Sequence, residues 1–175
     1  MKVLLDTNVV VTYLLMREEA DLQGCKRVVQ LCAEKRIEGF VNLPTLATAW
    51  YLMRQQTDAQ RRDGLRELCR LVELASTNMA AVRTAVDNCS FADFEDNLQD
   101  CCAQTVGADY IVTANLKDYA HSVVPAITPA ELLALLQKSS VARYTRIGLP
   151  RRHWHALSTR TACRHIHTCW LPLAA

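Results

Sequence analysis

Residues 3–10 read VLLDTNVV, an apolar run that breaks at Asp6, Thr7 and Asn8 and then resumes. Val3, Leu4 and Leu5 have the unbroken apolar character of a strand buried on both faces, as in a parallel sheet. An aspartate at the end of such a strand is costly to desolvate unless something compensates it. A helix N-cap, a salt bridge or a metal ion would each do so.

Outward from this stretch, residues 1–137 alternate short apolar runs with amphipathic segments, the pattern of βα units around a parallel sheet. The spacing predicts strands near 2–5, 39–42, 72–74, 109–113 and 124–127. It predicts helices near 9–16, 20–36, 44–56, 58–70, 78–87, 94–106 and 129–137. Thr128-Pro129-Ala130-Glu131 is a compact helix start, with a capping hydroxyl, a proline in the first turn and a carboxylate at the positive end of the helix dipole. No repeat or low-complexity linker interrupts the chain.

The composition fits a packed domain: of 175 residues half are hydrophobic, while Gly and Pro number only five each. No run of about 18 apolar residues offers a membrane span, and the N-terminus enters a strand without a basic leader or cleavage site. A cytoplasmic protein with reduced thiols is therefore expected; of the eight cysteines, Cys25, Cys32, Cys69, Cys101 and Cys102 fall in helical patterns, where a thiol acts as a small hydrophobe. The net charge of +2 is unevenly spread. Seven of the 20 basic residues and none of the 18 acidic ones follow Glu131, leaving 13 basic against 18 acidic in the body.

A second acidic cluster lies in FADFEDNLQD, at Asp93, Glu95, Asp96 and Asp100. Helix capping accounts for part of it. Yet Asp93, Asp96 and Asp100 share roughly one helix face, and two carboxylates about 5 Å apart repel by about 3 kcal/mol at an effective dielectric of about 20. A third set follows the apolar run Tyr110-Ile111-Val112, at Thr113, Asn115 and Asp118. In an open α/β sheet, sites form in the crevice beyond the carboxyl ends of the strands. Oxygen donors without His or Cys suit Mg²⁺ or Mn²⁺ rather than zinc.

LLDTNVVVTYLL, FEDNLQDCCAQTVGADYIVTANLKDY and VPAITPAELL, in that order and spacing, resemble a PIN domain over residues 1–137. The resemblance implies a three-layer α/β/α sandwich with a central parallel sheet and a Mg²⁺- or Mn²⁺-dependent ribonuclease. It points to the VapC-like toxins of toxin–antitoxin pairs, hence an RNA substrate, an antitoxin partner and possible homodimers. It puts the metal carboxylates and the catalytic centre at Asp6, Asp96 and Asp118, with Glu95 and Asp93 as alternatives to Asp96 on the central helix, and Asn8, Thr113 and Asn115 in support. Many relatives carry a Glu on the helix after the second strand, where Thr48 stands here, and an Asp where Asn115 stands. These departures keep open a catalytically weak module that binds RNA or a protein. A receiver or phosphatase-like α/β domain is disfavoured, because the first strand leads into DTN rather than Asp-x-Asp.

From Lys138 the apolar period fails, so 138–175 is read as a separate basic extension. It carries His153, Trp154, His155, Cys163, His165, His167 and Cys169, whose spacing matches no standard zinc finger. The basic strip with Trp154 is a candidate RNA contact; an idiosyncratic extension is the plain alternative.

Overall fold

The structure is a computed structural model that describes residues 1–18 and 21–146, with side chains described no further than Lys138. Met1–Leu136 form one compact unit. The candidate zinc and RNA residues of the tail, His153 to Cys169, lie outside the described residues.

Five parallel strands make the sheet: β1 (Lys2–Leu5), β2 (Glu38–Val41), β3 (Glu73–Leu74), β4 (Tyr110–Val112) and β5 (Ala126–Ile127), in the order β3-β2-β1-β4-β5. Between them run α1 (Thr7–Leu15), α2 (Leu22–Ala33), α3 (Leu43–Leu52), α4 (Asp58–Leu71), α5 (Met79–Asp87) and α6 (Phe94–Val106). A 3₁₀ turn (Leu116–Tyr119) follows β4, and α7 (Pro129–Arg146) follows β5. The strand at 124–127 shortens to Ala126–Ile127, and α3 ends at Leu52 rather than 56. By contrast α7 runs on to Arg146, past the expected end at 137; no Gly or Pro interrupts the chain between Pro129 and Gly148.

Strand alternation divides the core into two layers. Val3 and Leu5 face a cluster with Val9, Val28, Leu31, Leu68, Val112 and Leu132. Leu4, Phe40 and Ile111 face the opposite cluster, with Ala81, Ala85, Leu98, Cys102 and Ala103 of α5 and α6. This is the three-layer α/β/α sandwich expected from the sequence. Two glycines have steric reasons. A Cβ on Gly39 would come within 2.5 Å of Cys32 Sγ, so α2 lies close on β2 only because that position is bare. Gly107 closes α6 in the left-handed region at φ 64°. At the start of α7, Thr128 and Glu131 form reciprocal bonds: Thr128 N donates to Glu131 Oε2 (2.8 Å) and Glu131 N to Thr128 Oγ1 (3.2 Å).

The strand order places the topological switch at β1, which has β2 on one side and β4 on the other. The crevice beyond the carboxyl ends of β1 and β4 is where such sheets build sites, and Asp6 and Thr113 are the residues that leave those two strands.

Candidate active site at the ends of the first and fourth strands

Asp6 stands at the N-cap position of α1, but its side chain makes no capping bond. Nor does it form a salt bridge: among the described residues no Lys or Arg pairs with Asp6, Asp96 or Asp118. Its 3% exposure makes it one of the few buried charged groups. Of the cap, the salt bridge and the metal ion that could each compensate such an aspartate, the first two are thereby removed.

The buried carboxylate is instead ringed by neutral donors. Gln99 Nε2 donates to Oδ1 at 2.9 Å, Thr113 Oγ1 to Oδ2 at 2.6 Å, and Asn8 Nδ2 also to Oδ2. Thr113 in turn accepts from Asn8 Nδ2 (3.0 Å) and from the backbone N–H of Asn115 (2.9 Å). Asn8 Oδ1 accepts from the N–H of Ala114 at 2.9 Å. Asn8, Thr113 and Asn115 thus lock the two strand ends together around one carboxylate. Burial still dominates and pushes the Asp6 carboxyl above its ordinary range, against the pull of Thr113 and Gln99.

The other acids divide into two groups. Asp96, in the first turn of α6, has its pKa pushed up to about 7, by burial first and then by the negative charges of Asp6, Asp93 and Asp118. Tyr119 donates its hydroxyl to Asp96 Oδ1 at 3.3 Å. Burial and then the charges of Asp6 and Asp96 push that hydroxyl far above its usual range, which keeps it a donor at any working pH. Asp118 accepts from Asn115 Nδ2 on the 3₁₀ turn. Glu95 accepts from Thr7 Oγ1 (2.7 Å), and Thr7 accepts from Thr45 Oγ1 (2.8 Å) and Gln99 Nε2 (3.3 Å). Asp93 is exposed and caps α6 by accepting from the N–H of Glu95 at 2.7 Å.

Asp100 does not share this site, although its spacing put it on the face of Asp93 and Asp96. It is 2% exposed and accepts from Ser122 Oγ (2.5 Å), Val123 N (3.1 Å), Val124 N (3.0 Å) and Gln104 Nε2 (2.9 Å). The segment after the 3₁₀ turn folds over it, so Asp100 fastens that turn to α6. Asp100→Ala would strand two backbone N–H groups and should cost about 2–4 kcal/mol, read by urea denaturation; Asp100→Asn should cost less.

Gln99, Tyr119 and Thr45 were not singled out from the sequence, and Thr7 stood out there only as part of the break after the first strand. Gln99 lies between Leu98 and Asp100 in the polar start of α6, where nothing in the sequence sets it apart from its neighbours. The Oε1 of Gln99 is buried and, among the described residues, has no hydrogen-bond partner. On α3 the hydroxyl that joins the network is Thr45, one turn before Thr48; among the described residues no side-chain hydrogen bond ties Thr48 to it.

Among the described residues no three His, Cys, Asp or Glu side chains form a ready-made metal cage. The donor chemistry nonetheless fits a hard cation: oxygen groups only, electrostatically coupled carboxylates without a basic partner, and an orphaned amide oxygen beside Asp6. Mg²⁺ in particular keeps several waters and needs only one or two protein carboxylates.

The sequence profile of a family described as the PIN domain matches residues 2–117. The fold is similar to VapBC2 from Rickettsia felis, solved with a DNA fragment of its promoter, at 15% identity and TM-score 0.56, covering 73% of this chain and 98% of that one. It is similar to VapBC-1 from nontypeable Haemophilus influenzae at 14% identity and TM-score 0.53, over 74% and 99% of the two chains. FitAB bound to the IR36 DNA fragment matches at 12% identity and TM-score 0.52, over 73% and 94%. At these identities the likeness is one of fold. No protein of curated function matches the chain.

Proposed function

The chain belongs to the PIN domain family, and on that premise we propose that it is an endoribonuclease dependent on Mg²⁺ or Mn²⁺, acting as the toxin of a toxin–antitoxin pair. The observation that carries this reading is the buried, donor-ringed Asp6 at the topological switch, whose charge, with that of Asp118, acts on Asp96, with no Lys or Arg paired to the three among the described residues. A divalent ion held by Asp6, Asp96 and Asp118 would lower the pKa of a bound water and stabilise charge on the scissile phosphate.

The protein's own groups prepare that chemistry. Thr113, Asn8 and Gln99 hold the Asp6 carboxylate in one orientation, so no reorganisation is needed when a cation arrives. The Tyr119 hydroxyl fixes Asp96 Oδ1 and leaves its other oxygen available. Glu95, tied to Thr7, and Asp118, tied to Asn115, extend the negative surface on either side. A small antitoxin protein as partner accords with the neighbouring folds, those of VapBC2, FitAB and VapBC-1, and a homodimer is the assembly that goes with this reading. A cytoplasmic setting accords with the free thiols of Cys25, Cys32, Cys69, Cys89, Cys101 and Cys102. Among the described residues no helix is long and apolar enough to cross a membrane.

The hydroxyls of Thr45 and Thr48 on α3, and Asn115 after β4, favour a second reading, a catalytically weak module that binds RNA or a protein. Incubating the purified chain with RNA in Mn²⁺ or in EDTA separates the two. Cleavage in Mn²⁺ that EDTA abolishes is the expected result. RNA binding without metal-dependent cleavage would replace the nuclease with the weak module.

A further inference from the structure

We infer that the groove between α3 and α4, centred on Trp50, binds the phosphates and bases of single-stranded RNA flanking the scissile bond. The inference rests on reading the chain as an RNA-acting protein.

The cations of this face are arranged unusually. Arg61 and Arg62 of α4 lay their guanidinium groups over the Trp50 ring, at 4.3 and 5.4 Å from its centre, and Arg54 lies 5.0 Å over Tyr51. Arg61, Arg66 and Arg70 are paired with Asp58, Asp63 and Glu67. Arg54 and Arg62 are exposed and, among the described residues, have no ion pair. Trp50 of α3 and Arg62, Leu65, Arg66 and Cys69 of α4 line a shallow, open depression of about 440 Å³.

Stacking uses the flat face of a guanidinium and leaves its edge N–H donors free for a phosphate. Tyr51, 64% exposed, offers a ring on which an unpaired base can stack. Among the described residues the one other cation over a ring is Lys2, 5.7 Å from the centre of Phe40, while Arg27 and Arg36 are both bound to Glu34.

Charge balance points the same way. The body carries 18 acidic against 13 basic residues, and the candidate active site concentrates carboxylates, so both repel RNA phosphates. A substrate needs cationic contacts close to the site. The first turn of α3 supplies Thr45 to the Thr7 network, and Trp50 follows five residues later, about 7.5 Å along the helix axis. One rigid helix therefore links the candidate site to the Trp50 face, on a different side of α3 from the buried Thr45.

The test is fluorescence anisotropy with the full chain carrying Asp6→Asn and a labelled unstructured RNA of about 12 nucleotides, titrated between about 50 and 200 mM salt. Arg54→Ala/Arg62→Ala should flatten the plot of log affinity against log salt by about 1.4, roughly 0.7 for each phosphate no longer neutralised on a single strand. Tyr51→Ala should weaken binding roughly tenfold with the slope unchanged. Thermal melts of the variants should match the parent, because all three side chains are exposed. An unchanged slope and affinity in the double variant overturns the inference, as does a double variant that loses polyglutamate binding alone, which would make the groove a seat for an acidic protein. If the wild type cleaves RNA in Mn²⁺ while the slope is unchanged, the groove fails and the nuclease stands. If the slope flattens but the wild type never cleaves, the groove stands and the nuclease fails.

Discussion

Asp6→Asn should abolish Mn²⁺-stimulated RNA cleavage, by at least about a thousandfold, or about 4 kcal/mol of activation free energy, while the fold persists. The reason lies in the balance of forces on that side chain. Asp6 is buried and its charge is disfavoured there, so its removal relieves desolvation. Against this, the carboxylate accepts from Gln99, Thr113 and Asn8, and an amide in its place faces at least one of those donors with an N–H group. The two effects oppose one another, and the net change in stability should be about 1 kcal/mol in either direction, roughly 3 °C in melting temperature. Cleavage assays beside thermal melts provide the check. Full activity in a folded Asp6→Asn protein would remove the nuclease assignment from this site; a protein that fails to fold would make Asp6 a structural residue.

The second large effect concerns Asp96, pH and cations. Its pKa of about 7 in the fold lies above its ordinary 3.8, so the folded state binds more protons than the unfolded one between about pH 4 and 7. Stability contributed by this group is therefore present at low pH and lost as pH rises through that window. The wild type should melt progressively lower than Asp96→Asn from pH 4 to pH 7, and the gap should stay constant above it. A divalent cation that binds the ionised site reverses the loss by mass action. At a hundredfold excess over Kd it supplies about 2.7 kcal/mol, roughly 5–10 °C in a domain of this size, and Asp6→Asn should blunt the gain. Differential scanning calorimetry across pH, with and without Mn²⁺, reads both quantities. Equal melting temperatures for wild type and Asp96→Asn across the window would show that Asp96 carries no such charge penalty.

Much of the architecture was legible because its signals are local. Val3-Leu4-Leu5 and Tyr110-Ile111-Val112 are too continuously apolar for anything but buried strands. Thr128-Pro129 carries its helix start within four residues, and the reciprocal bonds of Thr128 and Glu131 show why. Element ends were less legible: α7 continues to Arg146 because a helix needs a reason to stop, and no Gly or Pro supplies one.

At the candidate site, Asp6, Asn8, Thr113 and Asn115 were legible as polar residues at the ends of apolar strands, and the structure joins all four in one hydrogen-bond network. Asp100 shows the limit of that kind of reading. Helical spacing put it with Asp93 and Asp96, but which side of a helix meets which loop depends on where a distant segment crosses, and here Ser122 to Val124 cross over Asp100. Gln99, Tyr119 and Thr45 escaped notice for the same reason. An isolated Gln, Tyr or Thr carries no charge whose burial must be explained, so nothing in its neighbourhood along the chain marks it.

The sequence by itself determined that apolar runs of strand length alternate with amphipathic helices, that acids leave two of those strands, and that the body is acidic while the last 38 residues are basic. Tertiary structure alone decided which acids meet. The reversal of strand order at β1 brings residues more than 100 positions apart into hydrogen-bond contact, as between Thr113 and Asp6. That meeting, through burial and the approach of like charges, raises Asp96 to about 7. A pattern along the chain records which groups are polar; their electrostatic coupling depends on distance in space and on the water excluded between them.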